Sequence, residues 1–176
     1  MSWISRLRYL ITSGCLYLDN SPTTMRSLTD WFSEYSDSHQ NQLNKRIHFF
    51  CVPLIFFSVC GLIMSIPFHV ASWYHPSEHP LVLNWSFHVL IFVVLFYLRL
   101  SWKMGLKMLV FSALCLIGNY WLSQVTTLWL VSLILFTAGW IGQFYGHHVE
   151  GKKPSFIKDL QFLLIGPAWV MEELFG

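Results

Sequence analysis

Metal-ligand chemistry is indicated by one short stretch near the end of the chain, where an apolar run passes directly into polar side chains. The stretch is WIGQFYGHHVEGKKP, residues 140–154, and it supplies Gln143, His147, His148 and Glu150. On a helix, residues 143, 147 and 150 lie on one face, which therefore carries an amide, an imidazole and a carboxylate. His148 points about a quarter-turn away from that face. We interpret the face as one wall of an active site.

A second group of ligand-type residues lies in SHQNQLNKRIH, residues 38–48. His39 and His48 are nine residues apart, which would place them on opposite faces of one continuous helix. Both can face the same site only if a helix breaks or begins between them. Asn44 and His48, four residues apart, share a face. Because His48 falls just inside an apolar segment, its imidazole is costly to bury unless it is paired or bound to a metal.

The histidines of the two groups suit several kinds of chemistry. Imidazole binds iron, zinc, copper and nickel, and a histidine-rich site with open positions can admit both O2 and a chelating substrate to ferrous iron. A zinc hydrolase needs a similar ligand set with a position for water, so the ligand types alone do not exclude it. A purely structural role, in which the histidines satisfy helix ends, is the third interpretation.

The composition places these residues in a membrane protein. Of the 176 residues, 55% are hydrophobic and only 11% are charged, whereas about 25% are charged in an ordinary soluble domain. The nine Trp residues suit a chain that meets lipid–water interfaces. The formal net charge of +2 is too small to suggest nucleic-acid binding. The length is that of a single domain.

Apolar segments long enough, or nearly long enough, to cross a bilayer predict four transmembrane helices. They cover residues 47–67, 82–100, 108–123 and 125–145. Asn119 and Gln124 predict a tight turn between the last two segments. The fold class predicted from this pattern is an all-α integral membrane protein.

Two further helices are predicted outside the spans. An apolar stripe opposite acidic residues, capped by Ser27 or Thr29, predicts an N-terminal surface helix. Residues 156–175 are apolar but interrupted by charged residues, glycine and proline, which predicts an interfacial or re-entrant C-terminal helix that covers the site. Residues 1–24 lack a convincing signal-peptide cleavage site. We interpret them as an N-terminal extension, either an interfacial segment or a stretch upstream of the functional start, ahead of a single membrane domain formed by residues 25–176.

The distribution of positive charge predicts the topology. In the four-span arrangement all eleven Lys and Arg residues fall on one side, which is the pattern of a cytoplasmic face. Both termini are therefore expected to be cytoplasmic, in a bacterial inner membrane or an endoplasmic reticulum membrane. The same arrangement places His39 and His48 at the same membrane depth, and on the same side, as His147 and His148.

Two motifs carry a resemblance to a known membrane family. The run HQNQLNKRIHFFCVP contains His39, Asn44, His48 and Pro53. The run WIGQFYGHHVEGKKPSF contains Gln143, Phe144, Gly146, His147, Glu150 and Pro154. In this order the two runs are similar to the two motifs of the 2-hydroxy-palmitic acid dioxygenase family, and the resemblance extends over residues 25–175. Residues 1–24 correspond to nothing in that family.

The resemblance implies a dioxygenase of fatty acid α-oxidation that depends on ferrous iron, Fe(2+). With O2, a 2-hydroxy fatty acid or a related lipid becomes a fatty acid one carbon shorter. Fungal members of the family reside in the endoplasmic reticulum. By motif position, the resemblance implies that His39, His48 and His147 are the catalytic metal ligands.

The remaining motif residues have supporting roles in this interpretation. Asn44, Gln143 and Glu150 are expected to hydrogen-bond the ligating imidazoles, which usually need their other nitrogen held. Glu150 or His148 is an additional ligand in the alternative arrangement. Lys152 or Lys153 is expected to pair with the substrate carboxylate. The alternative is that these two lysines only determine the topology of the chain in the membrane.

Two other functions stay open from the residues alone. A metal-dependent membrane lipid hydrolase would work with zinc and without O2. A non-enzymatic lipid-binding or scaffold protein would tolerate alanine at all three motif histidines with no loss beyond stability.

Overall fold

The structure, a computed structural model, describes residues 27–37, 39–68, 80–151 and 156–175, and side chains of the last range from Leu164 onward. These residues form six α-helices and contain no strand. The helices are α1 (Leu28–Asp37), α2 (Gln42–Met64), α3 (Trp85–Leu100), α4 (Trp102–Val125), α5 (Leu128–Glu150) and α6 (Phe156–Phe175). The predicted all-α fold is confirmed, whereas the predicted extension of residues 1–24 lies outside the described residues.

Three helices are long and apolar enough to cross a membrane, which supports membrane association. They are α2, α4 and α5, of 23, 24 and 23 residues. Helix α3 is also apolar but has 16 residues, about 24 Å at 1.5 Å per residue, and is shorter than a hydrocarbon core of about 30 Å. Length and composition therefore identify three candidate spans in the described residues, and the fourth predicted span stays a prediction.

Two helices extend beyond the predicted apolar segments, to ends that are set by their caps. Helix α2 begins at Gln42 rather than at residue 47, because the Asn41 side chain accepts hydrogen bonds from the backbone N–H groups of Leu43 and Asn44. Helix α5 continues to Glu150 rather than 145, and its C-cap is Gly151, whose φ of 73° lies in the left-handed region. The hydropathy pattern marks the lipid-embedded part of a helix, whereas the caps decide where it ends.

The predicted turn at Asn119 and Gln124 is wrong. Both residues lie inside α4, which continues to Val125, and the connection to α5 is formed by Thr126 and Thr127. Asparagine favours turns in water, but the amide of Asn119 is buried and donates hydrogen bonds to backbone carbonyls instead. Partners of this kind are supplied by tertiary packing and leave no signal in the local sequence.

Helix α1 forms where the apolar stripe predicted it. The Ser27 N–H donates to the Asp30 carboxylate at 3.0 Å, and the Asp30 N–H donates to Ser27 Oγ at 3.2 Å. This reciprocal cap satisfies backbone donors at the helix start. Tyr35, on the inner face of α1, is buried, and the helix packs against α6.

Helices α2 and α5 pack closely because glycines line their contact. A Cβ atom at Gly139, Gly142 or Gly146 would collide with side chains of α2. Small residues of this kind let the backbones of two membrane helices approach each other. The pairing brings the first turns of α2 beside the last turns of α5, where the candidate ligands lie.

Helix α6 lies between two apolar clusters. On one side it contributes Ala168 and Met171 to a core with α3 and α4, centred on the fully buried Tyr97, Met104 and Met108. On the other side it packs against α1 and α2 in a second cluster, formed by Tyr35, Val52, Ile165, Trp169 and Val170. An ion pair of 2.7 Å between Lys107 and Glu172 joins it to α4. Helix α6 therefore lies between α1 and α2 on one side and α3 and α4 on the other.

Candidate metal centre

Three histidines from separate parts of the chain meet at one end of the α2–α5 pair. His39 precedes α2, His48 lies near its start, and His147 lies in the last turn of α5. Their possible ligand atoms all lie within 4.8 Å of one another. The side chains are buried, at 2%, 1% and 6% exposure. We call these three residues the histidine cluster.

The start of α2 allows His39 and His48 to face each other. On one continuous helix they would lie on opposite faces, but α2 begins at Gln42, between them. His39 therefore lies in the connection after α1, and its ring centroid is 4.2 Å from that of His48. The ring centroid of His147 lies 5.2 Å from that of His48 and 5.5 Å from that of His39.

Backbone carbonyls fix the proton on two of the rings. Nδ1 of His39 lies 2.7 Å from the Tyr35 carbonyl oxygen, and Nδ1 of His48 lies 2.9 Å from the Asn44 carbonyl oxygen. Because a carbonyl can only accept, each Nδ1 carries the hydrogen and each Nε2 carries the lone pair. A ring held in this way presents the nitrogen that metals bind.

Aromatic side chains cover the histidine cluster. The Tyr35 ring stacks on His39 with centroids 4.2 Å apart, and the Trp169 ring centroid lies 6.0 Å from that of His39. The Trp169 indole N–H donates to Ser36 Oγ at 3.0 Å and its ring stacks on Phe49, which fastens α6 over the cluster. These rings contribute to the burial of the imidazoles.

Tyr35 and Trp169 were not among the predicted site residues. A local signal existed for Tyr35, which precedes His39 by four residues, the spacing at which side chains of one helix face meet. Trp169 lies in the interrupted apolar segment that was predicted to cover the site, but no pattern distinguished it from the neighbouring apolar residues.

Two predicted supporting residues lie beside the cluster. Gln143 is largely buried one turn before His147, on the face of α5 that carries that ring. Asn44 is fully buried, and its side chain lies where a Cβ atom at Gly146 would be. The Asn44 side chain donates to Glu150 rather than to a ring, and the contact that orients His48 is made by the backbone carbonyl of Asn44.

Glu150 and His148 lie outside the cluster of converging nitrogens. The Glu150 carboxylate accepts hydrogen bonds from the backbone N–H groups of Gln40 and Asn41 and from the side chain of Asn44. His148 is exposed, about a quarter-turn around α5 from His147. The other predicted site residues, Lys152 and Lys153, lie outside the described residues.

The donor set of the histidine cluster fits a metal ion. Buried imidazoles are costly in an apolar setting unless they are paired or bound to a metal, and here the lone pairs of two rings are fixed on Nε2 by carbonyl partners. Three imidazoles with further positions open suit zinc as well as ferrous iron. The geometry thus supports a metal, and the ligand types do not choose between these two.

Comparison with known proteins agrees with the two motifs. A family model described as 2-hydroxy-palmitic acid dioxygenase Mpo1-like matches residues 25–176. The chain is 35% identical over 141 residues to the 2-hydroxy-palmitic acid dioxygenase MPO1 of Saccharomyces cerevisiae, which covers 79% of this chain and 74% of that protein. No solved structure matches. The resemblance predicted from the motifs is confirmed, and the chain belongs to the Mpo1-like 2-hydroxy-palmitic acid dioxygenase family.

Proposed function

We propose that this protein is an Fe(2+)-dependent dioxygenase that uses O2 to convert a 2-hydroxy fatty acid into a fatty acid one carbon shorter, with the carboxyl carbon released as CO2 and with formation of water. The observation that carries the proposal is the meeting of three buried histidines, two from one motif and one from the other, with their possible ligand atoms within 4.8 Å of one another. Family membership supports the reaction class, because the yeast relative is named as a 2-hydroxy-palmitic acid dioxygenase.

In this proposal His39, His48 and His147 hold the metal. When bound, ferrous iron would supply the redox chemistry needed to use O2, together with open positions for a chelating substrate. The Tyr35 and Asn44 carbonyls hold the rings of His39 and His48. Buried polar contacts of this kind keep the ligating nitrogens aligned without rearrangement when the metal arrives.

The substrate binds with its polar end at the histidine cluster and its chain among apolar helices. The carboxylate and the 2-hydroxyl lie next to each other on the acid, so both can approach one metal site. Lys152 or Lys153 pairs with the carboxylate in this arrangement, since both follow Glu150 closely in the chain. The aromatic cover formed by Tyr35 and Trp169 keeps water away from the reacting groups.

We also propose that α3 crosses the membrane, which gives four spans and places both termini on the cytoplasmic side of an endoplasmic reticulum or bacterial inner membrane. Helix α3 packs along α4 and joins it through the single residue Ser101, so the two helices run antiparallel. On α4, the exposed Trp102 and Trp121 are separated by about 28 Å at 1.5 Å per residue, close to the thickness of a hydrocarbon core. Residues 25–176 then form one membrane domain, with α1 and α6 at its cytoplasmic surface.

The direct test uses detergent-purified protein reconstituted anaerobically with ferrous iron. On addition of 2-hydroxypalmitate and O2, mass spectrometry should detect the acid one carbon shorter, and His147→Ala should abolish it. A matched control is His148→Ala, which changes the neighbouring exposed imidazole and should retain turnover.

Two outcomes would contradict the proposal. Lipid hydrolysis by the zinc-loaded protein without O2 would indicate a metal-dependent hydrolase. A protein that binds no metal after reconstitution, and whose His39→Ala, His48→Ala and His147→Ala variants differ from wild type only in stability, would be a non-enzymatic lipid-binding or scaffold protein.

A further inference from the structure

Glu150 joins the two chain segments that carry the histidine cluster. It is the last residue of α5, three residues after His147. Its Oε1 accepts a hydrogen bond from the Gln40 N–H at 2.8 Å, and its Oε2 accepts one from the Asn41 N–H at 2.9 Å. Gln40 and Asn41 directly follow His39 in the chain. The carboxylate therefore bridges the ends of both motifs.

A third hydrogen bond extends this contact into α2. Oε2 of Glu150 also accepts from Nδ2 of Asn44 at 3.0 Å, and the Asn44 carbonyl is the group that holds Nδ1 of His48. The carboxylate lies at the N-terminus of α2, where the backbone N–H groups and the helix dipole favour negative charge. Charge-assisted hydrogen bonds of this kind are stronger than neutral ones.

The three histidines depend on Glu150 to different degrees. His48 and His147 lie on helices whose glycine-lined contact holds them together. His39 lies in the short connection between α1 and α2, where helical hydrogen bonds do not hold the chain. Its own N–H donates to the Ser36 carbonyl, and the next two N–H groups donate to Glu150.

We propose that Glu150 is a positioning residue whose carboxylate clasps the connection carrying His39 to the end of α5 that carries His147. Because its two oxygens accept hydrogen bonds from three donors, the carboxylate is not itself a ligand. It sets the distance between the two segments and thereby the positions of His39 and His147. This inference rests on the proposed metal site. Loss of partners that orient metal ligands typically lowers metal affinity by about 10–100-fold.

The first measurement needs no metal. Hydrogen exchange on the metal-free protein follows the amides of Gln40 and Asn41 in wild type, Glu150→Ala and Glu150→Gln. We expect faster exchange in both variants, because the acceptor is removed in one and weakened in the other. Glu172→Gln is the matched control, since it removes a carboxylate that pairs with Lys107 on α4, and it should leave the exchange of Gln40 and Asn41 unchanged.

The second measurement titrates the same proteins with Co(2+) and records the affinity and the absorption spectrum at saturation. We expect Glu150→Gln to bind about 10–100-fold more weakly, with the saturated spectrum of the wild type, because the ligating atoms are the same. Glu150→Gln keeps the size of the side chain, so it reports the effect of the carboxylate even if the alanine variant fails to fold.

Each contrary result has a distinct meaning. Unchanged exchange at Gln40 and Asn41 would overturn the clasp, and unchanged affinity would overturn its positioning role. A different spectrum at saturation would make Glu150 a ligand and overturn the inference. If the wild type bound no Co(2+), the proposed function would fail and the positioning role with it, while the exchange data would still report whether the clasp exists.

Discussion

Two of the buried polar clusters among the described residues differ in what their polar atoms face. The histidine cluster brings the possible ligand nitrogens of three residues within 4.8 Å of one another. The asparagine cluster, which we define as Asn119 and Ser132 around Gly61, is buried to a similar degree farther along α2. Nδ2 of Asn119 donates to the carbonyls of Phe57 and Cys115 at 3.0 and 2.9 Å.

This difference distinguishes a candidate metal site from a contact that only joins helices. In the asparagine cluster the amide hydrogens bind backbone carbonyls on two helices, which is how polar side chains join membrane helices. In the histidine cluster the carbonyls hold Nδ1 of His39 and His48, and the opposite ring edge is directed to other imidazoles. Burial of a polar side chain is thus shared by both clusters, and only the convergence of ligand atoms distinguishes the candidate metal centre.

The largest expected effect is on the metal, from loss of one ligand. His147→Ala should lower metal affinity by more than the 10–100-fold that partners of ligands contribute, and it should abolish turnover. Metal content after reconstitution, measured by plasma mass spectrometry, checks this. If the folded variant still held stoichiometric metal, the metal would have to bind at a site other than the histidine cluster.

A matched pair of glycine substitutions compares the two clusters directly. A Cβ atom at Gly146 would collide with Asn44 and lie 3.4 Å from His48, and one at Gly61 would collide with Ser132 and Asn119. Gly146→Ala and Gly61→Ala should each destabilise the protein by about 1–3 kcal/mol through overpacking. Thermal unfolding and Co(2+) titration should reveal that only Gly146→Ala weakens metal binding, and equal weakening would remove the distinction between the clusters.

A smaller effect is expected from the asparagine itself. Asn119→Ala removes one interhelical and one intrahelical hydrogen bond. Hydrogen bonds between membrane helices contribute about 0.6 kcal/mol on average. Stability should fall by about 1 kcal/mol, while metal affinity stays at the wild-type value. A loss of metal on this substitution would indicate that the asparagine cluster supports the site through α2.

The smallest effect is expected at His148, the exposed neighbour of His147. His148→Ala should change stability by no more than about 0.5 kcal/mol, as is usual for surface positions, and should leave the Co(2+) affinity and saturated spectrum unchanged. A changed spectrum would add His148 to the ligand set.

The sequence was sufficient to predict the helical fold and the family. Long apolar segments with one-sided positive charge predict membrane helices, because their composition alone sets the transfer free energy into lipid. The two runs around His48 and His147 predicted the family. The helix ends were harder to predict from the sequence. Helices α2 and α5 extend beyond the segments that hydropathy identifies, because the cap at Asn41 and the left-handed Gly151 set their ends.

The sequence by itself determined which residues could bind a metal and which helix faces carry them, since residue type and helical spacing are local properties. Only the tertiary structure decided that His39 faces His48, because that depends on where α2 begins. It also decided that Glu150 binds the connection near His39, across 110 residues, and that Asn119 links helices rather than forming a turn. Those outcomes follow from which segments pack together, and no local pattern in the chain encodes the partner that a buried polar group will meet.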